Sequence, residues 1–490
     1  MGLNFGTGGW RALIGDDFIK SNIRQFGLKL VHIAKEKTDV VKPIVVGYDN
    51  RFLSKEASNW LVEELNELGV NTLTFGESVP TPLVMHYVKS QELDYGVMIT
   101  ASHNPYQWNG IKLFVKGGLD APKELTDRFS DDNSEWWVPQ SIHGNNSIIE
   151  DAFEVYKKDL FTLLNLDKIN EFSKNLFIAF DGMHGSGSGL FCSLLKELGI
   201  KYSSYNTEID PYFHNGVTCC PEPTAENCRE FIRQFNAYNS QAYVAQQMKG
   251  DTSQLDVNGF PFNLGIIFDG DGDRLMVLDE NGNVISMNQL LCIFYWYLRV
   301  YCHEQGAIIR NSVTTSILDR MATVFGDELV EVPVGFKWIT QAMLTHNGLM
   351  GGESSGGFAI RGHIYGKDSI LSSLFLINIL CVTQKTLGEI LNNIEKKFGV
   401  SVFMEHKIPI TSDTMKEKLI NYIDTLEIPN AVTSNLDGKK FIVGNGRWLS
   451  FRLSGTEPIL RVMVEAPTKY DAEQTIKTVL SAIPVQDVKK

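Results

Sequence analysis

The densest chemical signal in the chain is DGDGDR at 269–274. Asp269, Asp271 and Asp273 alternate with glycines, which let the backbone curl until three carboxylates converge on one hard divalent cation. Three like charges gathered without a cation repel one another, so the pattern points to bound Mg2+ ahead of a solvated acidic turn. An EF-hand calcium loop is the competing pattern, since the three aspartates and Glu280 fall at its ligand spacing. That loop requires Gly where Arg274 stands, and the flanks LGIIF and LMVL predict strands where an EF-hand has helices.

Four further segments carry weaker signals. TASHNP (100–105) puts Ser102 just past an apolar strand, where a hydroxyl can reach a cleft at the carboxyl end of a sheet, although an ordinary turn serine looks the same. Lys112 in NGIKLF can move a proton or neutralise phosphate, or lie on the surface. GGESSGG (351–357) contains the nucleophile-elbow pattern around Ser354, which needs a strand before it and a helix after. NGLM before it reads as a turn and GFAIRGHIYG after it lacks helical periodicity, so a loop offering Glu353 and Ser355 to sugar hydroxyls fits better. In RLSGTEP (452–458), Arg452, Ser454, Gly455 and Thr456 combine a guanidinium, two hydroxyls and close N–H groups, a cradle for a phosphate dianion that a plain turn could also resemble. HGSGSG (184–189) breaks the dinucleotide fingerprint because Leu190 replaces the last glycine; it predicts a helix entry.

These segments need strands and helices to hold them. PIVVGYDNR, YGVMITASHNP, LFIAFDGMHGSGSG and AIIRNSVTTS are β-branched runs that alternate with helical patterns, such as the amphipathic stretch 54–68, and the alternation predicts α/β layers. Twice an apolar strand runs into a polar loop, GVMI into TASHNP and LGIIF into DGDGDR, which hints at similar domains in series. Polar residues 130–147 read as a linker, 237–261 as an exposed insertion without periodicity, and the chain after 397 as a smaller α+β unit with a helix beginning near Thr414. The apolar run 290–298 ends at Arg299, well short of the ~20 residues that span a membrane, and reads as a buried helix or strand.

With 45 Lys+Arg against 58 Asp+Glu in 490 residues, the net charge of −13 argues against nucleic acid or an anionic membrane as partner. The length suggests about three domains. Seven scattered cysteines without a C-x-x-C pair read as reduced thiols, which with no evident leader peptide predicts a cytoplasmic protein.

Taken in order, TGGWR, TASHNP, DGDGDR, GGESSGG and RLSGTEP resemble the motif set of the α-D-phosphohexomutase family over nearly the whole chain, with PEPTAENC (221–228) and VGFKW (334–338) similar to its accessory stretches. The resemblance implies three related α/β domains, 1–150, 151–278 and 279–396, plus a smaller C-terminal α+β domain, 397–490, around a central cleft. It implies that Ser102 carries a phosphoryl group and that Asp269, Asp271 and Asp273 hold Mg2+ together with a phosphoserine oxygen. Arg11 and Lys112 match positions beside the reacting phosphoryl group, His103 joins Ser102 as a catalytic candidate, and Arg274 adds countercharge. Glu353 and Ser355 match sugar-hydroxyl contacts, and the Arg452 loop matches the distal phosphate site. His363 and Lys367 in GHIYGKD match residues near the substrate; because Gly357 stands where many relatives have His, one of them would be the acid/base helper of that loop.

The implied reaction interconverts hexose 1-phosphate and hexose 6-phosphate through a hexose 1,6-bisphosphate. Glucose is the first expectation, since TGGWR resembles glucose-type members more than the glucosamine-phosphate branch. A phosphomannomutase or dual-specificity enzyme is the alternative, and a metal-dependent sugar phosphatase is the rival class. The expected partner is a small sugar phosphate, and the expected state a monomer or weak dimer.

Overall fold

The computed structural model describes residues 3–6, 8–38, 40–131, 136, 143–247, 260–444, 446–454 and 458–483. The chain divides into two units, one of residues 1–286 and 356–389, the other of 287–355 and 390–490.

One strand order recurs. In the first sheet Ile44–Tyr48 lies between Thr72–Thr74 and Tyr95–Ile99, all parallel. In the second, Phe177–Asp181 lies between Lys201–Tyr205 and Leu264–Phe268, again parallel. In the second unit, Ile308–Asn311 lies between Leu329–Val332 and Met350–Glu353, also parallel. Each time the first strand sits in the middle, and the third ends in a motif loop: TASHNP, DGDGDR or ESSGG. The hint of domains in series therefore has a topological basis. Apart from the partly exposed Tyr48 these central strands are buried along their length, which explains why they read as apolar runs and do not alternate.

The C-terminal sheet differs. Its order is Val402–Pro409, Ile459–Ala466, Arg447–Leu453, Lys439–Gly444, Val432–Ser434, antiparallel throughout. Helices Asp413–Thr425 and Lys469–Ala482 share its core through Leu419, Ile423, Ala472 and Ile476. Ser412 caps the first of these helices, its side chain accepting from Met415 N, close to the predicted start.

Three expectations need correction. Within the supposed linker, Asn146–Ile148 is a strand that extends the first sheet beside Thr72–Thr74. Residues 237–247 continue a helix, Arg229–Gln247, and 248–259 lie outside the described residues. Residues 346–349 do turn, as NGLM predicts, but Met350–Glu353, which opens the supposed GGESSGG loop, is a buried strand. Its glycines make it look like loop, yet a Cβ at Gly351 would stand 2.6 Å from Ile339 Cγ2, so the helix Phe336–Thr345 packs where a side chain would be. The apolar run 290–298 lies inside the buried helix Met287–Val300, and among the described residues no single helix is long and apolar enough to cross a membrane.

Candidate functional site

Strand Tyr95–Ile99 delivers Ser102 in the left-handed region, φ 54°, a conformation that costs a non-glycine residue about 1 kcal/mol or more. Neighbouring bonds hold it there. Thr100 Oγ1 donates to Asp49 Oδ2 at 2.6 Å and accepts from Ser102 N at 2.8 Å. Arg51 donates to the carbonyls of Ser102, of Asn104 (2.7 Å), of Pro105 (3.0 Å) and of Trp108 (3.1 Å). Its other faces meet Asp49 at 3.2 Å and the Phe213 ring, whose centroid is 4.9 Å away. Arg51 was missed by the sequence reading. Its only signal is the polar triplet DNR at the carboxyl end of the buried strand Ile44–Tyr48.

The Asp loop joins the antiparallel strands Leu264–Phe268 and Leu275–Leu278, as its apolar flanks predicted. Asp269 Oδ1 accepts from the backbone N–H groups of Asp273 and Arg274, both at 3.0 Å, and Gly272 takes φ 70° to make the bend. One carboxylate oxygen from each aspartate lies within 4.8 Å of the others. Ser102 Oγ donates to Asp269 Oδ2 at 3.0 Å, Thr81 Oγ1 to Asp271 Oδ2 at 2.5 Å, and Lys112 Nζ to both Asp271 and Asp273 at 2.6 Å.

This cluster fits a hard cation. Asp271 Oδ1 and Asp273 Oδ1 are buried and accept no hydrogen bond among the described residues, and every ligand atom in the set is an oxygen. Burial, then the charges of Asp273 and Asp271, push the Asp269 carboxyl well above its ordinary range. Burial also opposes charge on Asp273, but Lys112, Lys367 and Arg274 outweigh it and hold that carboxyl low. Burial disfavours the Lys112 ammonium as well, and Asp271 and Asp273 outweigh it, raising its pKa. A divalent ion would relieve the repulsion that Lys112 only partly offsets.

Arg11 stands on strand Trp10–Leu13 opposite Gly110, two residues before Lys112, and donates to Asn104 Oδ1 at 2.8 Å. Its Nε is a buried donor without an acceptor among the described residues, as expected of a group awaiting an anion. His103 Nδ1 lies 3.4 Å from Ser102 Oγ. Burial first, then Arg274 and Arg11, push its pKa far down, so the imidazole stays neutral and serves as a hydrogen-bond partner.

His363 is placed differently from the expectation of a substrate contact. Its side chain is fully buried, with Nε2 facing Asp368 Oδ2 at 2.8 Å. Lys367, four residues on, is close enough to act electrostatically on Asp273. The first unit thus gathers Ser102, His103, Arg11, Lys112, the three aspartates, Arg274 and Lys367.

The second unit holds the other candidates. Glu353 is buried at the end of its strand and accepts from Asn311 Nδ2 at 3.3 Å, whereas Ser355 is exposed on the turn. The strand Gly357–Ile360 follows in sequence, so the elbow pattern fails on its missing helix. Arg452 Nε donates to Asp437 Oδ2 at 2.8 Å, and the same oxygen accepts from Val334 N at 2.9 Å. Ser454 N donates to Ile459 O at 2.9 Å, while Gly455 and Thr456 lie outside the described residues.

Comparison with known proteins yields consistent matches. Family models described as phosphoglucomutase/phosphomannomutase alpha/beta/alpha domains I, II and III match residues 2–133, 154–282 and 286–398, and the model of the C-terminal domain matches 376–482. A phosphoglucosamine mutase of Bacillus licheniformis is 28% identical over 500 residues, covering 99% of each chain. A phosphoglucomutase/phosphomannomutase of Thermococcus kodakarensis is 26% identical, covering 97% of each. The crystal structure of a putative phosphomannomutase from Thermus thermophilus superposes with a TM-score of 0.78 at 25% identity, over 98% of this chain and all of that one.

Proposed function

Because this chain belongs to the phosphoglucomutase/phosphomannomutase family of α-D-phosphohexomutases, we propose that it interconverts hexose 1-phosphate and hexose 6-phosphate, with glucose as the hexose. The observation that carries this reading is the bond from Ser102 Oγ to Asp269 Oδ2, which sets a nucleophilic hydroxyl against a three-carboxylate cation site.

On this reading the phosphoryl group on Ser102 passes to the free hydroxyl of the bound sugar phosphate: a P–O bond to that oxygen forms as the P–Oγ bond breaks, and the proton that the hydroxyl loses ends on Ser102 Oγ, to be given up again in the return transfer. The resulting 1,6-bisphosphate turns end for end and returns its other phosphoryl group to Ser102 Oγ. Asp269, Asp271 and Asp273 would hold Mg2+, which when bound supplies Lewis-acid charge to the transferring oxygens. Phosphoserine and sugar phosphate each carry about −1.5 to −2 charges, so Arg11, Lys112, Arg274 and Lys367 lower the repulsion between them. Glu353 and Ser355 grip hydroxyls common to both orientations, and the Arg452 loop takes whichever phosphate is distal.

A second reading, an amino sugar as substrate, draws on the relatives named phosphoglucosamine mutase. The two readings are separated by a panel of glucose, mannose and glucosamine 1-phosphates, assayed with Mg2+ and a trace of hexose 1,6-bisphosphate. The expected result is the highest kcat/KM for glucose 1-phosphate, with an intact-mass phosphate adduct mapping to Ser102. A clear preference for glucosamine 1-phosphate would replace the glucose assignment. Free phosphate as the main product would overturn the mutase reading itself.

A further inference from the structure

One buried cluster in the first unit has no part in that scheme. Helix Thr81–Ser90, helix Ala152–Thr162 and the segment entering helix Ser369–Thr383 meet around His86, Tyr156, His363 and Asp368. Asp368 Oδ2 accepts from Tyr156 OH at 2.7 Å and faces His363 Nε2 at 2.8 Å, and its Oδ1 caps the last helix by accepting from Leu371 N at 2.9 Å. The His86 ring stacks on His363 with centroids 5.9 Å apart, and its Nε2 faces Asp159 Oδ2 at 2.8 Å. Lys89 Nζ donates to the His363 carbonyl at 2.7 Å. His86, Tyr156, His363 and Asp368 are buried, while Asp159 and Lys89 reach the surface; polar groups buried like these four are costly unless their bonds are kept, so they select one arrangement of the segments that contribute them.

The far end of the network touches the Asp loop. Ser369, next to Asp368, donates to Gly272 O through Oγ at 2.6 Å and through its backbone N at 3.3 Å. Lys367, on the other side of Asp368, acts on Asp273. The segment 363–369 is thus tied at one end to the buried histidines and at the other to the backbone between two of the aspartates.

We propose that His363 is a positioning residue: with Tyr156, Asp368 and His86 it forms a buried strut that holds Lys367 beside the Asp loop, and it exchanges no proton with substrate. The proposal rests on the mutase reading for what Lys367 does, but not for the existence of the strut.

The test compares wild type, His363→Gln, Lys367→Ala and the double variant, with Tyr156→Phe as a milder cut in the same network should His363→Gln fold poorly. His363→Gln is expected to raise KM for the sugar phosphate about tenfold with a smaller change in kcat, to keep both limbs of the kcat–pH profile, and to retain the Ser102 adduct. The double variant is expected to be no worse than Lys367→Ala, because one residue acts through the other. Tyr156→Phe should move KM in the same direction by less. Additive losses in the double variant, or loss of a pH limb in His363→Gln, would overturn the proposal. Amide exchange at Ser369 and Leu371, measured on the same proteins, is expected to quicken in His363→Gln. Unchanged exchange there would sink the strut even if the wild-type chain turned over no hexose phosphate, a result that would count against the mutase reading alone.

Discussion

The loops of the first unit and those of the second are held in different ways. Ser102, Asp269 and Asp271 are essentially inaccessible, and each is tied by side chains from distant elements: Thr81, Lys112, and Arg51 through the Ser102 carbonyl. In the second unit Glu353 is buried too, but Ser355 beside it is exposed and Arg452 is partly exposed, with Asp437 as its anchor. Charges that act on a transferring phosphoryl group gain most when they are preorganised and dry. Groups that must accept an intermediate in two opposite orientations work better from loops that keep some play. On the proposed mutase reading, the contrast divides residues expected to set the rate from residues expected to set affinity.

Substitutions in the first unit should accordingly reduce kcat. The largest effect is expected for Ser102→Ala, a loss on the order of 10⁴-fold or more in turnover together with loss of the phosphate adduct in intact-mass spectra. Near-normal turnover in that variant would end the comparison, since the nucleophile would lie elsewhere. Asp271→Asn weakens the cation site while keeping its shape, and should lower kcat by roughly 10²–10³-fold and raise the Mg2+ concentration needed for half-maximal rate. An unchanged Mg2+ titration would remove Asp271 from the ligand set.

Arg51→Lys is a sharper probe, because it keeps the charge and removes the planar fork that serves four carbonyls. A fall in kcat of about 10–100-fold is expected, with KM nearly constant and a lower thermal midpoint. A pure KM effect would show that the Ser102 loop needs no such support. In the second unit Arg452→Ala should do the reverse, raising KM about 10–100-fold for the loss of one charge-assisted contact and leaving kcat within a few-fold. Equal losses in kcat for Arg51→Lys and Arg452→Ala would erase the distinction.

The smallest expected effect concerns pH. Burial, more than the opposing bond from Asp159, holds the His86 pKa below its ordinary value. The unfolded chain then takes up this proton before the folded one does, so stability is present above about pH 6.5 and falls as the pH drops below it. Urea midpoints at pH 7.5 and 5.5 should show a larger acid loss in wild type than in His86→Gln; identical losses would mean that His86 does not contribute.

Much of this was legible in the primary structure where local pattern and burial coincide. The central strands are buried on both faces and read as apolar runs, and the DGDGDR loop lies between two of them. Legibility failed where a buried position is filled by something that does not look apolar. In helix Arg229–Gln247 the inward face runs through Phe231 and Phe235 to Asn239 and Ala242. Asn239 is buried because its amide bonds Phe262 N and O and Glu280 O, and an amide on that face breaks the hydrophobic period. Strand Met350–Glu353 was hidden by glycines that a packed helix requires. His363 looks like a substrate contact because GHIYGKD resembles a stretch that members of the family place near the substrate, and only the fold turns its ring inward against Asp368.

The sequence alone determined the kind of chemistry: a hydroxyl, a three-carboxylate loop and phosphate-binding basic groups, delivered in order by repeated α/β segments. Residue type and spacing decide this much, because carboxylates alternating with glycines can curl around a cation whatever surrounds them. Tertiary structure decided which of these groups meet. Ser102 and Asp269 are 167 positions apart and come to 3.0 Å only because the third strands of two separate sheets end beside each other. The same packing buries Arg51 under the serine loop, where its partners come from elements distant in the chain.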